Sequence, residues 1–134
     1  MYTFALKTCK YSRGNKVVYQ LIVNDKDEFS KFENKYGTKQ YRSLLLRIGT
    51  RIENLSKGIR LPAGQISNIF GVEGGFEIKA DSLRVYYLEL QNECLIICMG
   101  GLKKNQKKDI DRFKRITKEL QKQLKDGKKF EFHE

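Results

Sequence analysis

From Phe76 to Met99 the chain reads Phe-Glu-Ile-Lys-Ala-Asp-Ser-Leu-Arg-Val-Tyr-Tyr-Leu-Glu-Leu-Gln-Asn-Glu-Cys-Leu-Ile-Ile-Cys-Met, and this stretch decides the fold. Three runs rich in aliphatic, aromatic and β-branched residues, Phe76–Lys79, Leu83–Leu90 and Glu93–Met99, are separated only by Ala80-Asp81-Ser82 and Gln91-Asn92. Separators this short fit tight turns, so the runs are expected to form an antiparallel meander. The third run is almost continuously apolar, the pattern of a strand covered on both faces. Cys94 and Cys98 within it read as small buried hydrophobes.

Downstream, Gly100-Gly101 leads into a long helix expected over Asn105 to Leu124. Its apolar stripe is Ile110, Phe113, Ile116 (or Thr117), Leu120 and Leu124. Residues 126–134 are expected as a polar tail. Upstream, residues 60–75 hold the only proline and four glycines, a connector with room for one short strand. Before it, Tyr41, Leu44, Leu45, Ile48, Ile52 and Leu55 fall on one helical face, with Thr38 as the expected N-cap and Gly58 as the stop. Gly49 inside that helix costs about 1 kcal/mol against Ala, which points to close packing there. Phe29, Phe32 and Tyr36 mark a shorter helix, opened by Asp25 with Glu28 and closed by Gly37, so the two helices read as an αα-hairpin. Lys16–Val23 reads as a strand, and the turn at residues 12–15 can join it to a strand at Tyr2–Lys10 within an N-terminal extension of residues 1–15. The expectation is one α+β domain over residues 1–134: N-terminal strand, αα-hairpin, antiparallel meander, and a basic C-terminal helix packed on the sheet.

The chain has 134 residues, of which 40% are hydrophobic and 11% aromatic, enough for a sandwiched core and too much for a disordered segment. No apolar run approaches the roughly 20 residues of a membrane-spanning helix, and the first residues lack the apolar core of a secretion signal. Cys9, Cys94 and Cys98 have no CxxC spacing, so a cytoplasmic setting without disulfides or a membrane partner is expected. The sole histidine, His133, has no ligand partners at metal spacing, and no P-loop, GxSxG or GxGxxG element occurs. No metal or cofactor is expected, and any catalysis would fall to Lys, Arg and Tyr.

The net charge is +11, which favours an anionic partner. It is concentrated between Leu102 and Lys125, where ten basic residues face three acidic ones. Lys103, Lys104, Lys107 and Lys108 crowd the expected helix start, where the macrodipole already presents roughly half a positive charge. Cations belong at the other end, so this placement points to a bound anion, phosphate above all, with Gly100-Gly101 letting it approach the backbone. The competing reading is a solubilising helix face. On the sheet, Lys79 ends one strand and Arg84 stands in the next, where an arginine is expected at the edge of the face with its head in water. Tyr86 and Tyr87 could stack on bases or pack in the core.

Three segments in order, Gly75-Phe76-Glu77-Ile78-Lys79, Leu83-Arg84-Val85-Tyr86-Tyr87 and Met99-Gly100-Gly101-Leu102-Lys103-Lys104-Asn105-Gln106-Lys107, resemble the RelE/ParE toxin superfamily, closest to its HigB-like, phage-derived branch. Asp109-Ile110-Asp111-Arg112 is similar to the start of the following helix there. Lys79 stands where that family more often has Arg, and Leu102 where it has an aromatic. The resemblance implies a RelE-like fold and a toxin of a toxin–antitoxin system. Its activity would be metal-independent mRNA cleavage, usually on the ribosome, by attack of the substrate's own 2′-OH. Carried over, Lys79, Arg84, Lys103 and Lys104 would be catalytic, with Lys107, Lys108, Tyr86 and Arg112 binding RNA. The implied partners are RNA or ribosome-bound mRNA and a cognate antitoxin, of helix-turn-helix type in some members. The alternative is a non-catalytic module of the same fold that inhibits a protein or binds nucleic acid.

Overall fold

Strand β7 (Cys94–Leu102) lies in the middle of an eight-stranded sheet, covered on both faces, as its apolar composition requires. The computed structural model describes residues 1–91 and 94–133. In chain order the remaining elements are β1 (Phe4–Thr8), β2 (Val17–Val23), β3 (Lys26–Asp27), α1 (Glu28–Tyr36), α2 (Arg42–Ser56), β4 (Ile66–Asn68), β5 (Gly75–Ala80), β6 (Leu83–Leu90), a 3-10 turn at Lys103–Asn105, α3 (Gln106–Lys125) and β8 (Glu131–His133). Among the described residues no helix is long and apolar enough to cross a membrane.

The meander is present: β5, β6 and β7 pair antiparallel, with β4 added at the outer edge. The expected turn residue Asn92 and the expected strand start Glu93 lie outside the described residues, as does Glu134. Two features depart from an antiparallel sheet. Strand β2 joins β7 in parallel, and β8 joins β1 in parallel, so the sheet is mixed, in the order β4-β5-β6-β7-β2-β1-β8. The N-terminal extension and the polar tail therefore both contribute strands. Phe132 of the tail sits edge-on against Tyr19, and Phe130 against Phe4, which explains why a charged tail docks at all.

Side-chain alternation divides the core between two faces. On one, Phe29, Phe32, Ile48 and Ile52 of α1 and α2 pack on Val18, Ile78, Val85, Tyr87, Leu95 and Ile97. On the other, Phe113, Ile116 and Leu120 of α3 pack on Leu21, Tyr86, Leu88, Ile96 and Cys98. Those three α3 residues are fully buried and contribute roughly 2 kcal/mol each. A misplaced lysine at a helix start costs about 0.3–1 kcal/mol. Burial therefore wins, and α3 docks with its cations facing out.

Local caps differ from the sequence reading. Helix α1 is capped by Asp27, not Asp25: its carboxylate accepts from the Ser30 N–H (3.2 Å) and the Ser30 hydroxyl (2.7 Å), while Gln20 donates to it at 3.0 Å. Burial works to raise the Asp27 carboxyl, but the Ser30 and Gln20 hydrogen bonds and the Lys7 charge outweigh it and hold the group below its ordinary range. Helix α2 begins after Tyr41 without a side-chain cap; Thr38 serves through its carbonyl, which accepts from the Tyr41 and Arg42 N–H groups. At the other end Gly58 adopts φ +77°, the left-handed conformation that stops the helix.

Gly49 shows the close packing its cost implied. A Cβ there would lie 2.6 Å from the Tyr11 ring. Substitution to Ala gains about 1 kcal/mol of helix propensity, but overpacking costs about 1–3 kcal/mol. Gly49→Ala is accordingly expected to lower stability in urea unfolding. Adding Tyr11→Ala should recover part of that loss; a Gly49→Ala chain more stable than the parent would contradict the packing argument.

Candidate nucleic-acid interface

The basic surface is built where β5, β6 and β7 end beside α3. The β5–β6 register pairs Lys79 with Arg84, and the β6–β7 register places Gly101 opposite Arg84. The Lys103 N–H donates to the Ser82 carbonyl at 2.7 Å, tying the 3-10 turn to the β5–β6 turn. Lys79, Arg84, Lys103 and Lys104, far apart in sequence, are thus drawn to one end of the sheet.

A register shift sets what happens next. Tyr86 pairs with Met99 but Tyr87 with Ile97, so Cys98 is an extra residue and β7 changes phase after it. Gly100 then faces α1 and Gly101 faces α3. A Cβ on Gly100 would lie 2.7 Å from the Phe32 ring, and one on Gly101 would fall on the Asp109 carboxylate. These glycines admit the protein's own side chains, not the ligand expected from the sequence. Asp109 stands in the first turn of α3, where a carboxylate suits the dipole, and burial pushes its pKa up.

Arg84 is not at the water's edge. Its side chain is 7% exposed; Nη1 donates to the Asp81 carbonyl (2.6 Å) and the Leu83 carbonyl (2.8 Å). Its Nε lies 4.0 Å from an oxygen of Glu77, itself 3% exposed, a Coulombic pairing beyond hydrogen-bond range. Glu77 also accepts from the Gln106 side chain at 2.6 Å, which anchors the start of α3 to β5. Tyr86, expected as a stacking surface, is fully buried against Phe113, and Tyr87 is buried against Phe76. Arg112, expected on RNA, donates to Glu28 at 2.7 Å and joins α3 to α1. Lys79 is half-buried, with its carbonyl accepting from Arg51.

Lys103, Lys104, Lys107 and Lys108 are the expected residues left exposed. Among the described residues none has an acidic group within 4 Å. A groove of about 440 Å³ runs between Lys104, Asn105, Lys107, Lys108, Asp111 and Arg115. A second cavity of about 450 Å³ lies beside it, lined by Tyr41, Ser82, Leu102, Lys103 and Lys104. Arg115, Asn105, Ser82 and Tyr41 were not among the expected site residues. The α3 periodicity already places Arg115 off the apolar stripe, whereas nothing in the sequence brings Tyr41 to Leu102. Compared with protein-family models, characterised proteins and solved structures, the chain finds no match.

The Arg84–Glu77 pair makes Arg84 part of the fold's interior. Removing one partner of a buried pair costs about 3–5 kcal/mol, whereas apolar replacement of both is often neutral. Arg84→Ala is expected to lower the unfolding free energy by about 3 kcal/mol, with Glu77→Leu combined with Arg84→Met recovering most of it in urea titrations. A small loss for the single variant would place the guanidinium in solvent.

Proposed function

We propose that the chain binds the phosphate backbone of RNA along the groove between the 3-10 turn and the first turns of α3, as a non-catalytic module of RelE/ParE type. The observation that carries this reading is the exposed set Lys103, Lys104, Lys107 and Lys108, without ion-pair partners among the described residues and continued by Arg115 around the groove. Among the described residues Asp111 is the one acid lining it, so the groove keeps a net positive field and suits a polyanion. Ribosome-bound mRNA presents the same phosphates. A partner that silences the surface, as an antitoxin would, must offer carboxylates there.

Binding is preferred to cleavage because the Arg84 guanidinium is engaged by two carbonyls and Glu77. The register pairing of Lys79 with Arg84, beside Lys103, is the observation that favours the second reading, a metal-independent endoribonuclease. In that case RNA incubated with the chain and a chelator would be cut, and Lys79→Ala would stop the cutting.

The binding reading has a quantitative test. Each phosphate neutralised on a single strand adds about 0.7 to the slope of log affinity against log salt. Replacing Lys103, Lys104, Lys107 and Lys108 by Ala should weaken RNA binding and flatten that slope by about 3 if all four contact phosphate. Lys128→Ala with Lys129→Ala, on the tail, should alter neither by comparison. Equal slopes for the four-lysine variant and the parent in fluorescence anisotropy would sink the proposal.

A further inference from the structure

The cavity beside the lysine groove has a different chemistry from the groove itself. Tyr41, Leu102, Ser82, Lys103 and Lys104 line it. Three separate elements meet there: the residue preceding α2, the β5–β6 turn and the end of β7. Two contacts hold those elements in place. Tyr41 packs edge-to-face on Tyr36 with ring centroids 5.1 Å apart, and the Lys103 N–H is bonded to the Ser82 carbonyl. At about 450 Å³ the cavity falls within the range of small-molecule sites.

Lys104 lines both cavities. An aromatic and aliphatic pocket therefore shares a cation with a basic groove, an arrangement matched by one ligand with a flat apolar part and a chain of charges. We infer that the Tyr41–Leu102 cavity receives one unpaired nucleobase of a single-stranded RNA whose phosphates follow Lys104, Lys107 and Lys108. A base in a duplex is stacked between its neighbours and cannot enter, so the site selects single strands. The selection is for exposure of a base and not for its identity, since every base offers a face to Tyr41. This inference rests on the RNA-binding reading and adds to it the class of RNA.

The test uses the full chain with three probes at one salt concentration: a short single-stranded RNA, the same strand without bases, and an RNA duplex. The parent chain should prefer the first. Tyr41→Leu keeps an apolar lining but loses the ring; it should weaken the intact strand by about ten-fold and leave the other two probes and the salt slope unchanged. The chain contains no tryptophan, so Tyr41→Trp introduces a single indole at the pocket that can be excited apart from the tyrosines. That variant keeps an aromatic ring in the pocket, and its emission should be quenched by the intact strand and unchanged by the baseless one. Equal binding of intact and baseless strands, or an indole left unquenched by bound single strand, overturns the base site while leaving lysine-dependent binding in place. Absence of lysine-dependent binding to all three probes overturns both readings. Should Tyr41→Leu lose every probe through misfolding, the Tyr41→Trp quenching alone decides.

Discussion

The extra residue at Cys98 governs how the two helical layers meet the sheet. It reverses the phase of β7, so that Gly100 lies under Phe32 of α1 and Gly101 under Asp109 of α3. A Cβ on Gly100 would meet the Phe32 ring, and one on Gly101 would displace the Asp109 carboxylate. The start of α3 is then fixed from below by Asp109 over Gly101 and by Gln106 on Glu77. With its underside committed to internal carboxylates and its apolar stripe buried, α3 can only direct Lys103, Lys104, Lys107 and Lys108 outward. The basic surface is a consequence of the packing beneath it.

The same arrangement separates two kinds of cation. Arg84 is tied to Glu77 on the neighbouring strand of the sheet, and Arg112 to Glu28, which joins α3 to α1. The lysines of the 3-10 turn and α3 have no such partners among the described residues, and their positive field is available to a ligand. Glu77 and Asp109 partly answer the helix dipole from inside, which is why four lysines are tolerated at a helix start. The dipole is met internally, and an external anion would meet the lysine side chains along the groove.

Much of the architecture was legible because it is local. The bounds of β6, the connector strand, the apolar stripe of α3 and the tight packing at Gly49 all follow from periodicity and residue type within short windows. What was not legible depends on pairing across the chain. The parallel seam between β2 and β7 leaves no mark on either strand, both of which read simply as apolar. The phase change at Cys98 is hidden in a run where every residue is apolar, so a shift of one position alters no pattern. Arg84 looked solvent-facing because its partner Glu77 and that partner's anchor Gln106 belong to other elements. Tyr41 matched the helical stripe of α2, and only the folded chain sets it against Leu102 and Ser82.

In the proposed complex RNA lies on the α3 start and the Tyr41 cavity and nowhere else on this basic chain. The most direct measurement is a backbone amide NMR titration with a short single-stranded RNA. Shifts confined to the surroundings of Tyr41, Ser82, residues 102–108 and Arg115 are expected. Shifts centred instead on the exposed face of α2 around Arg47 and Arg51, or on the tail lysines Lys128 and Lys129, would contradict that placement.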